Sequence, residues 1–307
     1  MRALLALPAA AALILSGCDF EDFGGMERYH EDFHYSHPLK SGGRLAVEGF
    51  NGSIEISVWD QETVDISGTK YARSQSDIND IRIDIDHNPD AVSIRASRPP
   101  MRHGNFGVRF AIKVPRKAVY DRIVTSNGAI RAYDGVGPAR LKTSNGHIDV
   151  QRLHGALVAE TSNGPIDLTD VDGSADVRSS NGHIRIDGLR GSLDASTSNS
   201  SVRAAINRAA DSVRVSSSNG SIDLALPPGT ICPVRAHTSN SSITLRLPGG
   251  EPNARLSAST SNGNITTDFE MRMRSGEVNR HHLEGTLGSG GPLIDLSSSN
   301  GSIHIVK

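Results

Sequence analysis

Aromatic side chains and net charge are both scarce in this chain. Only 4% of its 307 residues are aromatic, and 32 Lys and Arg stand against 34 Asp and Glu. Proteins that read nucleic-acid bases usually stack them on aromatic side chains, and balanced charge gives no general attraction for nucleic acid or acidic lipid. We therefore predict no nucleic-acid partner.

Cysteine is also scarce, because Cys18 and Cys232 are the two that the sequence contains. Cys18 lies at a predicted processing site, so the mature chain lacks a pair for an intramolecular disulfide. Cys232 is flanked by Ile231 and Pro233. We interpret it as a small apolar residue, because the sequence around it lacks the basic or helix N-terminal setting of a reactive thiol.

The motifs of several enzyme and cofactor classes are missing. The recurrent glycines follow Asn and open no helix, so they do not form a phosphate-binding loop. The sequence also lacks the Gly-x-Ser-x-Gly pattern of serine hydrolases and the Gly-Gly-x-Gly-x-Asp calcium repeat. We therefore predict no catalytic residue, no cofactor and no metal ion.

The first residues have the build of an export signal. Arg2 gives a positive start, and residues 4–15 form an apolar run that is too short to span a bilayer comfortably. The run ends in Leu-Ser-Gly-Cys at positions 15–18, which resembles the bacterial lipoprotein signal, in which cleavage precedes the Cys and its thiol carries diacylglycerol. We predict residues 1–17 as a signal peptide and Cys18 as a lipid anchor. The alternative is an ordinary signal peptide with a chance Cys.

Residues 18–38 are predicted to be the lipidated Cys and a tether. Asp19 resembles the inner-membrane retention signal of enteric lipoproteins, so the expected location is a bacterial membrane, facing the periplasm or exterior, with the inner membrane favoured. His30, His34 and His37 make a metal site conceivable in the tether. We predict none there, because neither a Cys nor a second cluster of ligands supports it.

One turn sequence, centred on Asn, recurs along the rest of the chain. The aligned asparagines are Asn51, Asn127, Asn145, Asn163, Asn181, Asn199, Asn219, Asn240, Asn262 and Asn300. From Asn127 to Asn199 every step is 18 residues, and the later steps are 20, 21, 22 and 38. A fixed period of this size is the mark of a repeat architecture.

The residues around each Asn alternate between apolar and polar. Ile or Val follows three residues after every Asn, a second apolar residue usually follows at five, and the residue between them is usually polar. The same alternation precedes the Asn, and period two predicts strands with one buried face. Two residues before the Asn stands Thr or Ser in nine of the ten copies. We expect this hydroxyl to point inward and to bond a backbone group at the corner.

These patterns predict an all-β fold, a single-domain β-solenoid with coils of about 18–22 residues. Gly137, Gly155, Gly173 and Gly191 each follow an Asn by ten residues and mark a second corner. The Asn amides of successive coils are expected to bond one another in a column. The alternative is a set of antiparallel hairpins, which Asn-Gly also favours, but hairpin turns recur every 8–12 residues in such folds.

The solenoid domain is predicted to span residues 39–307. Residues 39–120 are expected to form broader, less regular N-terminal coils that supply the cap a solenoid needs, and residues 121–307 the regular ones. The 76 residues between Asn51 and Asn127 leave room for about four coils. The stretch 267–291 is the other long interruption, and it is expected to be a surface excursion or an end cap.

The Ser-Asn-Gly-x-Ile turns resemble the repeats of a bacterial putative-adhesin family of unknown function. Two further segments carry the likeness, Ile-Lys-Val-Pro at 112–115 and Gly-Thr-Leu-Gly at 285–288. The family resemblance covers residues 39–307 and implies a secreted or membrane-tethered β-repeat protein. It brings no active site with it.

Two clusters on the outward positions are candidates for chemistry. Asp149 and Asp167 should lie about 5 Å apart in adjacent coils, near enough to share a cation. His147 and His183 are two coils apart, which makes a joint metal site improbable unless their side chains lean together.

We therefore predict a non-enzymatic, lipid-anchored envelope protein that binds an envelope protein or polysaccharide or supports the envelope structurally. The alternatives are a carbohydrate-active β-helix enzyme and a self-associating scaffold, since a solenoid end exposes unpaired strand edges.

Overall fold

A computed structural model describes residues 29–98, 105–230, 232–247, 252–273 and 280–307 of the chain. Apart from one short helix, α1 (Gln75–Asp80), the regular structure of these residues is β, and most strand pairs are parallel. The predicted all-β, solenoid-like fold is confirmed. Among the described residues, no helix has the length and hydrophobicity that a bilayer crossing requires.

The coils contribute strands to two hydrogen-bonded stacks. The first stack, sheet A, holds the strands that follow each Asn corner. These are β3 (Ile54–Trp59), β9 (Ile130–Tyr133), β11 (Ile148–His154), β13 (Ile166–Asp172), β17 (Ile222–Ala225), β19 (Ile243–Arg246), β21 (Ile265–Thr267) and β25 (Ile303–Val306).

The second stack, sheet B, holds the strands that precede each Asn corner. These are β2 (Arg44–Glu48), β8 (Val119–Val124), β10 (Ala139–Lys142), β12 (Leu157–Thr161), β14 (Ala175–Ser179), β18 (Val234–Thr238), β20 (Ala254–Thr260) and β24 (Leu293–Ser298). Two long strands, β15 (Ile184–Thr197) and β16 (Val202–Ser217), begin in sheet A and end in sheet B. They join the two stacks into one continuous sheet.

The stacking places identical apolar positions on top of one another. Ile130, Ile148, Ile166 and Ile184 follow consecutive Asn corners, pair in register and are at most 1% exposed. Full burial of a side chain of this size contributes about 1.5–3 kcal/mol. Because each coil repeats the same alternation, one apolar column runs through the interior and fixes the register of every strand.

The N-terminal end of the solenoid is closed by a β cap, in which one pair of strands continues the two stacks and antiparallel strands cover that pair. Its strands are β1 (Tyr29–Pro38), β4 (Thr63–Ala72), β5 (Arg82–Asn88), β6 (Ala91–Ser97) and β7 (Gly107–Pro115). In sheet A, β7 pairs parallel to β3, and β4 and β1 then add as antiparallel strands. In sheet B, β6 pairs parallel to β2 and antiparallel to β5.

Two expectations about the front of the chain are therefore wrong. Asn127 stacks directly on Asn51, so the 76 residues between them insert no complete Asn-cornered coil and supply much of the cap instead. The expected tether is also wrong for Tyr29–Pro38, because this segment is the edge strand β1 and pairs with β4 along its whole length. Alternation in 39–120 predicted strands there but could not distinguish parallel coils from antiparallel hairpins.

At the C-terminal end the order of coils in space differs from their order in the chain. The last coil, β24 and β25, stacks on β18 and β19, while the earlier β20 and β21 lie outside it. β23 (His282–Leu287) then runs antiparallel to β20, and β22 (Arg272–Met273) runs antiparallel to β23. The expected excursion at 267–291 thus contributes an end cap.

Candidate functional site

The repeated asparagines lie in one column along the corner between the two sheets. Each Asn Nδ2 donates to the Oδ1 of the Asn in the next coil toward the N-terminal cap, with nine such bonds of 2.6–2.8 Å among the described residues. The column ends at Asn51, whose Nδ2 donates to the carbonyl of Phe106 in the cap at 2.9 Å. The structure thus brings all ten predicted asparagines together as a structural ladder.

The Thr and Ser residues two positions earlier form a second, buried ladder beside it. Each hydroxyl donates to the backbone carbonyl of the residue after the Asn in the neighbouring coil, as Thr161 does to Gly146 at 3.1 Å and Thr238 to Gly220 at 2.9 Å. Several of these hydroxyls also accept the backbone N–H at their own corner, as Ser179 does from Gly182. Both ladders satisfy polar groups at the corner, so the repeated motif builds the scaffold.

A further bend in the coil was not foreseen from the sequence. Asp134, Arg152 and Asp170 have φ values of 53–56°, in the left-handed region, and Gly188 at the next equivalent position has φ 80°. Arg152 donates through Nε and Nη2 to the two carboxylate oxygens of Asp134, and this bond lowers the pKa of the Asp134 carboxyl. Asp and Gly tolerate this backbone region better than most residues, and their recurrence at this position is the sequence signal for the bend.

The outward positions of sheet A carry a column of charged side chains that serves neither ladder. In stacking order the column reads Glu55, Arg131, Asp149, Asp167, Arg185, Arg203 and Asp223. Like charges face each other twice, at Asp149 and Asp167 and at Arg185 and Arg203. Like-charged neighbours across strands are destabilising, and two unit charges 4 Å apart repel by about 1 kcal/mol even in water.

The two histidines of this face lean toward the aspartate between them. His147 Nε2 lies 2.8 Å from Asp167 Oδ2, although its direction does not make a hydrogen bond. His183 Nε2 lies 3.8 Å from Asp167 Oδ1. The expectation that these histidines are far apart along the stack holds for the backbone, but their side chains meet at one carboxylate. Within the described part of the chain, no group of three or more His, Cys, Asp or Glu has the arrangement of a metal site.

The stacked arginines lie in a shallow cavity of about 280 Å³. Its polar lining consists of His183, Arg185, Ser201, Arg203, Ser221 and Asp223. Arg203 Nε lies 3.5 Å from Asp223 Oδ2. That carboxylate is also bound by Arg246, whose Nε and Nη2 each donate to one of its oxygens at 3.1 Å. Positive charge at this cavity therefore exceeds negative charge.

Sheet B carries a comparable arginine pair that is better neutralised. Arg214 and Arg235 are partners in the ladder, and Arg235 Nε lies 3.3 Å from Asp295 Oδ2. Arg214 Nη1 donates to Ser212 Oγ at 3.1 Å. Among the described residues, neither Arg185 nor Arg214 has an ion-pair partner, but Asp295 pairs with Arg235 alone, whereas Asp223 is shared by Arg203 and Arg246. The cavity at the sheet B pair is about 100 Å³, so the sheet A face is the stronger candidate site.

The remaining sequence candidates lie apart from this face. Cys18 and Asp19 are outside the described residues. His34 Nε2 bonds Asp65 in the cap at 2.9 Å, and the His37 ring stacks on His87 with centroids 3.9 Å apart. Cys232 is 3% exposed, and burial raises the pKa of its thiol, in keeping with a small apolar residue.

Solved structures of bacterial proteins show a distant likeness to this chain. Three solved structures overlap it, each covering 90% of this chain. One is a putative cell adhesion protein from Clostridium sporogenes, with 11% identity, 99% of its own chain covered and a TM-score of 0.26. A putative adhesin from Bacteroides fragilis has 13% identity, 97% of its own chain covered and a TM-score of 0.37. A putative adhesin from Parabacteroides merdae has 9% identity, 97% of its own chain covered and a TM-score of 0.31.

The comparison with curated proteins finds no significant match. A family model does match, and it covers residues 44–247, from the coil that stacks on the cap through the regular 18-residue coils to β19. Since that segment is more than half of the sequence and contains most of the Asn ladder, the chain belongs to the Toastrack DUF4097 family.

Proposed function

We propose that this protein is a lipid-anchored module of the bacterial cell envelope that binds an envelope ligand through the outward face of sheet A, without catalysis. The observation that carries the proposal is the charged column. Its like-charged neighbours at Asp149 and Asp167 and at Arg185 and Arg203 destabilise the sheet. The apolar core and the two corner ladders do not use these charged side chains. A ligand that binds them is therefore the physical reason for their presence.

Attachment to the membrane is the part of the proposal that rests on the N-terminal sequence. The Leu-Ser-Gly-Cys motif at positions 15–18 supports lipid modification of Cys18, and Asp19 favours the inner membrane. We expect the wild-type chain to sediment with membranes and the Cys18→Ser chain to be released. Mass spectrometry of the N-terminal peptide should find diacylglycerol on Cys18, and an unmodified thiol in membrane-bound protein would contradict the anchor.

The binding face is tested with the full chain carrying a C-terminal tag and incubated with native envelope fractions. We expect the wild type to retain an envelope component that a His147→Ala/Asp167→Ala/His183→Ala variant does not. The matched control is Arg178→Ala on sheet B, whose side chain contacts Glu160 and Asp176 instead. Equal retention by wild type and the sheet A variant would contradict the proposed face.

Glycan cleavage is a second candidate function, favoured by one feature of the same face. Asp149 and Asp167 are ladder partners, and His147 lies beside Asp167, so two carboxylates and a titratable imidazole are within reach of one substrate. Incubation with acidic polysaccharides followed by product analysis decides between the two. Turnover that disappears in Asp149→Ala or Asp167→Ala would replace the binding proposal by an enzymatic one.

A further inference from the structure

The stacked arginine pair has more positive charge than its surroundings neutralise. Arg185 and Arg203 are parallel-ladder partners, so their backbones are about 4.8 Å apart. Their one close carboxylate on the Arg203 side, Asp223, is already held at both oxygens by Arg246, and this contact raises the pKa of Arg246. On the other side, Asp167 is approached by two histidines. Two guanidinium groups therefore share little countercharge.

From this geometry we infer that the cavity at Arg185 and Arg203 binds the carboxylate or phosphate group of an acidic glycan. Arginine is the side chain best suited to grip such groups, because its planar fork donates two parallel hydrogen bonds to two oxygens. Ser201 and Ser221 also line the cavity. Their hydroxyls can both donate and accept, as the hydroxyl groups of a sugar require. The inference rests on the proposed function and names its ligand class.

The position of the cavity in the sheet argues against a peptide ligand. Peptides that bind to β proteins commonly add a strand at a free sheet edge. Here β15 is flanked by β13 and β16, and the sheet A part of β16 is flanked by β15 and β17. The backbone groups are already paired on both sides, so recognition must come from the outward side chains, which are charged and hydroxylated.

The composition of the site argues against nucleic acid. The cavity lining contains no Phe, Tyr or Trp, the large rings on which bases stack best. The whole chain carries a net charge of −2, so it offers no extended field for a polyanion. A local pair of arginines beside hydroxyl groups fits an anionic substituent on a hydroxylated chain.

The test measures binding of defined probes to the full chain purified in mild detergent. The probes are an oligogalacturonate, its neutral methyl ester, a phosphorylated oligomannoside and a DNA oligonucleotide. We expect the carboxylated or the phosphorylated glycan to bind, and which one binds identifies the anion. The methyl ester should not bind. Binding should weaken as salt rises, because the site is exposed and its charges are screened.

Variants locate the binding on the sheet. Arg185→Gln/Arg203→Gln should raise Kd at least about tenfold, since charge-assisted bidentate contacts are lost. Arg185→Lys keeps the positive charge but not the planar guanidinium, so it should raise Kd by less than the double variant does. This variant also tests the site if the double variant folds poorly. Arg214→Gln is the matched control, because it removes a stacked arginine from sheet B. We expect that control to leave Kd within about twofold.

Three results would overturn the inference. The first is that neither acidic glycan binds. The second is that Arg214→Gln and the double variant lose the same affinity for the glycan. The third is that DNA binds and that its affinity depends on Arg185 and Arg203 as the glycan's does. These results are distinguishable from failure of the proposed function. If envelope components are still retained through sheet A while no acidic glycan binds, the face is right and the ligand class is wrong.

Discussion

Removal of one amide from the middle of the Asn ladder should cost twice as much stability as removal of one from its end. Asn163 Nδ2 donates to Asn145, and its Oδ1 accepts from Asn181, both at 2.6 Å. Asn262 lies in the outermost coil and has one ladder bond, from its Nδ2 to Asn300 at 2.8 Å. A neutral hydrogen bond contributes about 0.5–1.5 kcal/mol net.

We therefore expect Asn163→Ala to lower the free energy of unfolding by about 1–3 kcal/mol and Asn262→Ala by about 0.5–1.5 kcal/mol. The neighbouring amides stay at the surface and can bond water, so no buried polar group is orphaned. Asn207→Ala is the control, because this Asn is exposed on β16 and outside the ladder. It should change stability by no more than about 0.5 kcal/mol.

The measurement is urea denaturation of the three variants and the wild type, followed by far-ultraviolet circular dichroism. An Asn163→Ala effect no larger than that of Asn207→Ala would refute the reasoning, because the ladder would then contribute no net free energy over hydration. Equal effects of Asn163→Ala and Asn262→Ala would show that the cost comes from the turn itself and not from the bonds between coils.

Three further predictions follow from single positions. Gly146→Ala should unfold the chain at clearly lower urea, because its Cβ would lie 1.7 Å from the Gly128 carbonyl oxygen; Ser200→Ala, at an equivalent corner that already has a Cβ, should be nearly neutral. Cys232 should resist thiol reagents near pH 7 until the chain is unfolded, because burial raises the pKa of its thiol. Burial, and after it the charge of the stacked His87, lowers the pKa of His37. Below about pH 6.5 the folded chain therefore binds fewer protons at His37 than the unfolded chain does, so the free energy of unfolding should fall as the pH falls from that value. The fall should be less steep in His37→Gln.

The regular coils could be predicted closely because their sequence repeats at the period of the structure. Position three after the Asn is buried in every copy except the outermost, where Ile265 is partly buried; position four is outward, and the corner residues recur at fixed offsets. The N-terminal cap could not be separated from coils in this way. Strands such as β4 and β7 show the same apolar alternation as coil strands, and alternation reports which face is buried but not whether the partner strand is parallel or antiparallel.

The candidate site could be predicted only in part. Asp149 and Asp167 were paired correctly by the 18-residue period, as were the positions of His147 and His183. Both imidazoles approach Asp167 because of their side-chain rotamers, and the spacing of residues along the sequence does not determine rotamers. Spacing also places Arg185 one coil beyond Asp167. Its pairing with Arg203 follows from the same period, but the excess of positive charge also depends on the contact of Arg246 with the one nearby carboxylate, which spacing does not predict.

The inverted order of the last coils gives the solenoid an end that its repeat alone could not supply. A coil at the end of a stack has one face of unpaired backbone groups, which invites association with another chain. In sheet B, the outermost coil strand is β20, and antiparallel β23 covers its free edge. β23 can do so because it precedes β24 and β25 in the chain, and β24 pairs with the other edge of β20. In sheet A, the outermost coil strand is β21, which is only three residues long. One strand of the C-terminal end is thus paired and the other is short, and this arrangement favours the open side face, where the charged column lies, over the C-terminal end as the surface for recognition.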